Sequence, residues 1–112
     1  MTQALKAIIY PVTDLVAAKK LFGLALGLSP NVDQPYYVNY AVDGIDVGLA
    51  PGGTGAGPTA YWSTADIDKS VRDLVAAGGT VMQQRKDVGG GKLVATVKDR
   101  DGNAIGLMQM PK

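Results

Sequence analysis

Two heptapeptides, DGIDVGL from Asp43 and DGNAIGL from Asp101, are near-copies of each other, 58 positions apart in a chain of 112 residues. Upstream of each, an aspartate stands where a helix N-cap is wanted, and these two, Asp14 and Asp66, are 52 apart. A chain duplicated in this way folds as two copies of one supersecondary unit. Halves of about 50 residues cannot each bury a face alone, so the repeat predicts one domain with approximate two-fold symmetry. The two offsets differ by six. An insertion therefore lies between the second helix and the last hairpin, where the glycine-rich DVGGGK, Asp87 to Lys92, supplies it.

Each half reads strand, helix, then three strands. Ala4 to Val12 is apolar and β-branched, a buried strand with Pro11 near its end. Thr13 and Asp14 offer capping oxygens, and Leu15, Ala18, Phe22 and Ala25 form one helical stripe that Gly27 ends. A short extended piece, Leu28 to Val32, leads to two strands around Asp43-Gly44, a dipeptide suited to the two-residue hairpin because both positions tolerate positive φ. After the connector 52–58, Thr59 to Thr64 is a strand. Asp66 then caps a helix carrying Ile67, Val71, Leu74 and Val75, closed by Gly78-Gly79. Thr80 to Arg85, Lys92 to Asp99 and Asn103 to Met110 are the last three strands. Module one thus runs over about 1–51 and module two over about 59–112, within a single domain.

Composition narrows the chemistry. There is no histidine and no cysteine, and all ten acidic residues are aspartates. That excludes Cys-His and Ser-His-Asp nucleophile systems, zinc held by nitrogen or sulfur, and ordinary haem or iron-sulfur ligation, so no cofactor is expected. A net charge of +1 with scattered Lys and Arg gives no basic stripe for nucleic acid. The apolar run from Ala7 to Tyr10 is far too short for a signal-peptide core or a membrane span, which predicts a soluble cytoplasmic protein without membrane contact.

Three motifs invite functional readings and do not support them. GGTGAGP at 52–58 has Pro58 and Thr59 where a phosphate loop needs Gly or Lys, so it reads as a linker. Asp99, Asp101 and Asn103 alternate like the start of an EF-hand loop, but Ala104 replaces its glycine and no glutamate exists to close it. A tight turn whose Asp and Asn bond their own backbone is expected instead. The GGGK run, Gly89 to Lys92, reads as a loop rather than an anion nest.

These residues carry a family resemblance. An opening strand followed by PVTDL and AAKKLF, a second followed by TADID and SVRDLVAAGG, and the closing KDRDGNAIGL resemble the vicinal-oxygen-chelate superfamily over nearly the whole chain. This is the group of glyoxalase I, bleomycin-resistance proteins, fosfomycin-resistance enzymes and extradiol dioxygenases. The resemblance implies an α+β fold, two βαβββ modules forming one curved eight-stranded sheet around a cleft, and a homodimer. It also implies four metal-ligand positions on the first and last strand of each module. Those positions hold Ala7, Gly48, Thr59 and Gly106. Three have no side-chain donor and Thr59 offers only a neutral hydroxyl, so no metal is expected.

Strand parity then lines the implied cleft with Tyr37, Asn39, Asp46, Gly48, Thr59, Tyr61, Ser63, Gly106, Met108 and Met110. Tyr10, Val47, Trp62 and Leu107 point to the helices, and Trp62 is assigned to the core. Tyr37 and Tyr61 would be aromatic walls, Asn39 and Asp46 polar anchors, and the methionines adaptable contacts, with open space left where ligands became Gly and Ala. The expected function is sequestration of a small aromatic or planar molecule. Near-neutral charge argues against bleomycin itself, because a cationic drug would want an acidic groove. The alternatives are a metal-independent lyase, isomerase or epimerase with Asp46 as base and Tyr61 or a lysine as acid, and a dimeric interaction module without ligand.

Overall fold

The computed structural model describes residues 4–51 and 57–111. Ten elements follow the order the repeat requires: β1 (Leu5–Val12), α1 (Leu15–Leu26), β2 (Val32–Gln34), β3 (Tyr37–Val42) and β4 (Ile45–Pro51), then β5 (Thr59–Ser63), α2 (Ile67–Ala76), β6 (Thr80–Asp87), β7 (Leu93–Lys98) and β8 (Ala104–Gln109). The fold is α+β with one eight-stranded mixed sheet in the order β2-β3-β4-β1-β5-β8-β7-β6. Contacts divide the chain into two compact units, one of residues 7–59 and one of residues 60–112 with 1–6. Most of the 52–58 connector falls outside the described residues.

In the unit 7–59, β1 runs parallel to β4, and β3 pairs antiparallel with β4 and β2. The β3–β4 hairpin turns at Asp43, φ 51°, and Gly44, φ 83°, both left-handed as the Asp-Gly dipeptide predicts. Leu15, Ala18, Phe22 and Leu26 of α1 pack on the buried Val38, Tyr40 and Leu49, and Tyr10 meets Phe22 at a ring-centroid distance of 4.8 Å. Leu26 takes the place expected for Ala25, which is exposed. Residues 15, 18, 22 and 26 follow the 3-4-4 spacing of one helical face, whereas a step of three to 25 leaves it. The helix ends are satisfied locally: Asp14 Oδ1 accepts from Ala17 N–H at 3.0 Å, and Gly27, φ 67°, donates to Gly23 C=O. Tyr40 is fully buried, and its hydroxyl donates to the Lys19 carbonyl at 2.9 Å. That bond fastens α1 to the sheet while meeting the polar end of a core ring.

In the other unit, β5 runs parallel to β8, and β8, β7 and β6 are antiparallel. Ile67 of α2 is buried with Ala95 and Leu107, and Val71, Leu74 and Leu93 pack around them. Two expectations are corrected here. Val75 is 46% exposed, because it sits one residue beyond the Ile67-Val71-Leu74 stripe. Trp62 is 40% exposed rather than core. Its register beside Leu107 gives the expected parity, but α2 packs on β6, β7 and β8, and β5 lies at the margin of that cover. The 87–92 insertion lies between β6 and β7, as placed by the offset arithmetic, with Gly89, Gly90 and Gly91 all at positive φ. The Asp101-Gly102 turn is not a copy of Asp43-Gly44. Five residues separate Lys98 from Ala104, and Asp99 organises them by accepting from Asp101 N–H, Asn103 N–H and Asn103 Nδ2 at 2.8–2.9 Å. This is the self-bonded turn expected in place of a cation loop.

Candidate functional site

The ladder of the unit 7–59 sets one face opposite α1. Ala7 lies beside Asp46, Ile9 beside Gly48, and Gly48 beside Asn39. A chain of side-chain hydrogen bonds runs over this face. Tyr37 OH donates to Asn39 Oδ1 at 3.1 Å, and Asn39 Nδ2 donates both to Asp46 Oδ1 at 3.1 Å and to Asn31 Oδ1 at 2.9 Å. Asn39 is only 4% exposed, and Asp46 is half-buried. The carboxylate fixes the direction of every bond. It can only accept, so it draws the amide nitrogen of Asn39. The amide oxygen must then face Tyr37, and Asn31 must present its own oxygen.

Gly48 is the small residue that lets this cluster close. A Cβ at Gly48 would collide with the Tyr37 hydroxyl and come within 2.7 Å of Ile9 Cδ1. The expectation of open space at this position is corrected: Tyr37 and Ile9 already fill it.

The other unit repeats the register with different chemistry. Tyr61 lies beside Gly106 and Ser63 beside Met108, so Ile9-Gly48 and Tyr61-Gly106 reproduce the offsets of 52 and 58. A Cβ at Gly106 would lie 2.6 Å from Tyr61 Cδ1 and 2.7 Å from the Ala60 carbonyl oxygen, so this space is filled as well. Burial pushes the Tyr61 phenol above its ordinary value. Ser63 Oγ accepts from Ala4 N–H at 3.1 Å, an anchor for the chain entering β1. Met108 is buried, Met110 lies beyond the end of β8 and is half-exposed, and Thr59 opens β5 half-buried. A separate depression of about 530 Å³ lies at the C-terminal end of α2, lined by Leu74, Gly79, Val97, Lys98, Arg100 and Ile105 among others.

A family model, the Glyoxalase/Bleomycin resistance protein/Dioxygenase superfamily, matches residues 4–107. The chain belongs to this superfamily. A putative lactoylglutathione lyase of Brassica oleracea var. gemmifera is 42% identical over 100 residues, covering 84% of this chain and 33% of that protein. The chain thus spans about a third of that relative's length. Among solved structures, a glyoxalase/bleomycin resistance protein/dioxygenase superfamily member from Vibrio splendidus 12B01 matches at a TM-score of 0.74 and 20% identity, covering 97% of this chain and all of that one. Methylmalonyl-CoA epimerase from Mycobacterium tuberculosis matches at 0.70 and 17%, covering 96% and 88%. These structural matches carry the fold.

The glyoxalase-type metal centre implied by the resemblance does not fit the residues at its four positions. Ala7 is 2% exposed and donorless, Gly48 and Gly106 are covered by Ile9, Tyr37 and Tyr61, and Thr59 has a neutral hydroxyl. Among the described residues, no three Asp side chains gather as a metal cluster. No helix among them is long and apolar enough to cross a membrane. Sequence reasoning missed Asn31. The available signal was the turn at Pro35-Tyr36, which folds β2 back on β3 and brings the Asn31 N–H to the Asn39 carbonyl at 2.9 Å.

Proposed function

We propose that this superfamily member binds a small planar molecule without a metal ion, on the face that carries Tyr37, Asn39 and Asp46, and that it works as a homodimer. The observation that supports the reading is the Tyr37-Asn39-Asp46-Asn31 cluster closed over Gly48. In place of a ligand-bearing side chain at position 48 stand a phenol and a carboxylate held in position by an amide pair, an arrangement suited to an organic guest and poorly suited to a transition metal. A thermal-shift screen of planar aromatic compounds tests it, since a guest at 100 times its Kd stabilises the folded chain by about 2.7 kcal/mol. Stabilisation by some compounds, lost in Asn39→Leu, is expected; a flat response across the screen overturns the reading. Light scattering that returns the mass of one chain overturns the dimer.

A second reading rests on two observations. Asp46 is held in place by Asn39, as a general base has to be, and the sequence relative is named a lyase. Here the superfamily fold would serve a metal-independent lyase, isomerase or epimerase with Asp46 taking the proton. Any turnover found must then fall at least about 100-fold in Asp46→Asn. Activity retained in that variant removes Asp46 from the role.

A further inference from the structure

The polarity of the Asn39 cluster names the kind of head group its guest carries. Both amide hydrogens of Asn39 are spent, one on Asn31 and one on Asp46, and its oxygen takes the Tyr37 proton. The Asp46 carboxylate receives one of those bonds, at Oδ1. Among the described residues the ion pairs are Lys19–Asp33, Lys69–Asp73 and Arg85–Asp68, and none includes Asp46. Among the described residues this half-buried carboxylate has no cation at ion-pair distance, and it is held at a fixed angle by a side chain that is itself 4% exposed. Partial burial of an anion without a counter-charge is unfavourable, and a protonated nitrogen supplied from outside removes that cost.

Resting on the binding reading above, we infer that Asp46 is the anchor for a protonated nitrogen on the guest, so that the ligand class is a planar ring bearing an ammonium group. The recognition is local. One oriented carboxylate reads one charge at contact distance, so the near-neutral net charge, which argues against a broad acidic groove for a drug such as bleomycin, does not decide the fate of a single ammonium group. The ring of the guest would lie toward Ile9 and Tyr37, the apolar and aromatic neighbours that already cover Gly48. An anionic guest is disfavoured at the same spot by Asp46 itself.

The test is a matched set of probes that differ only in the head group: 2-naphthylmethylamine, 2-naphthylmethanol and 2-naphthoate, titrated calorimetrically into the wild-type chain and into Asp46→Asn and Asp46→Ser. The amine should bind at least about tenfold tighter than the alcohol, and the carboxylate weakest of the three. Raising salt from about 0.05 M to about 0.5 M should weaken the amine and leave the alcohol unchanged. In both variants the amine and the alcohol should become equal, circular dichroism confirming that the fold is kept. An alcohol or carboxylate that binds as well as the amine in the wild type overturns the inference while leaving the planar-guest reading standing. So does a preference for the amine that survives both substitutions. If none of the three binds, this inference falls, while the planar-guest reading is decided by the wider thermal-shift screen.

Discussion

A methyl group added at Gly48 and one added at Gly106 meet different kinds of obstacle. At Gly48 the nearest atoms are the far ends of Tyr37 and Ile9, which can swing by small changes in χ. At Gly106 one of them is the Ala60 carbonyl oxygen, part of the neighbouring strand, and another is the Tyr61 ring where it joins its Cβ. Overpacking costs most where the backbone must move. Gly48→Ala should therefore lower the unfolding free energy by about 1 kcal/mol and Gly106→Ala by about 3 kcal/mol, read from urea midpoints. Equal losses at the two positions would contradict this account. Tyr37→Phe removes the hydroxyl that obstructs position 48 and the bond to Asn39, at about 1 kcal/mol by itself. In a Tyr37→Phe background the Gly48→Ala cost should shrink, and a double-mutant cycle measures the coupling. At this scale the sequence placed Gly48 and Asn39 opposite each other correctly, from parity and the Asp43-Gly44 turn alone. It could not reveal that the glycines are filled over, because that depends on the rotamers of Tyr37, Ile9 and Tyr61, which no periodicity encodes.

The two helices are fixed at their N-termini by different devices. Asp14 and Asp66 each accept from the backbone N–H three residues on, but α2 has a second tie. Gln109 of β8 accepts from Ile67 N–H through Oε1 at 2.8 Å, across 42 positions of sequence. Gln109→Leu strands that amide next to buried Ile67 and should cost about 1–3 kcal/mol, whereas Asp14→Ala loses a cap and should cost about 1 kcal/mol. Thermal or urea unfolding of the two variants compares them directly. The capping aspartates were legible because a cap is local; the glutamine was not, because its partner is set by the β5-β8 pairing. The β7–β8 turn supplies a pH signature. Hydrogen bonds from the Asn103 side chain and backbone, with Asp101 and Gly102 N–H, hold the Asp99 carboxyl below its ordinary range. A carboxylate depressed in the folded state stabilises the fold above its unfolded pKa, and that contribution disappears as pH falls through the folded pKa. Asp99→Asn should accordingly be less stable than the wild type at neutral pH, and the gap should close on acidification. A gap that stays constant down to pH of about 2 would show that the turn does not use the charge.

Duplication makes most of the fold legible in the sequence. The two offsets fixed the element order, the site of the insertion and the equivalence of Gly48 with Gly106, all of which the strand registers reproduce. Where the halves diverge, the reading slipped: Trp62 kept the parity of its strand but not the cover of a helix, since parity assigns a face and says nothing of how far the helix above it reaches. The same divergence governs what the superfamily fold can do here. The metal centre that the family resemblance implies would draw its donors from positions 7, 48, 59 and 106, and two of those positions, Gly48 and Gly106, are glycines whose side-chain space belongs to their neighbours. Restoring a ligand is then not a matter of one substitution, because Gly48→Gln would have to displace Tyr37 and Ile9 before reaching any ion. Metal binding raises unfolding free energy by about 2.7 kcal/mol at 100 times Kd, a shift of several degrees in Tm for a chain of this size. Zinc, nickel, manganese and ferrous ions should therefore leave Tm unchanged at millimolar concentration, and chelation should leave the binding of any guest unchanged. A saturable rise in Tm with one of these ions, suppressed in Thr59→Val, would place a metal at the one position of the four that has an oxygen to offer.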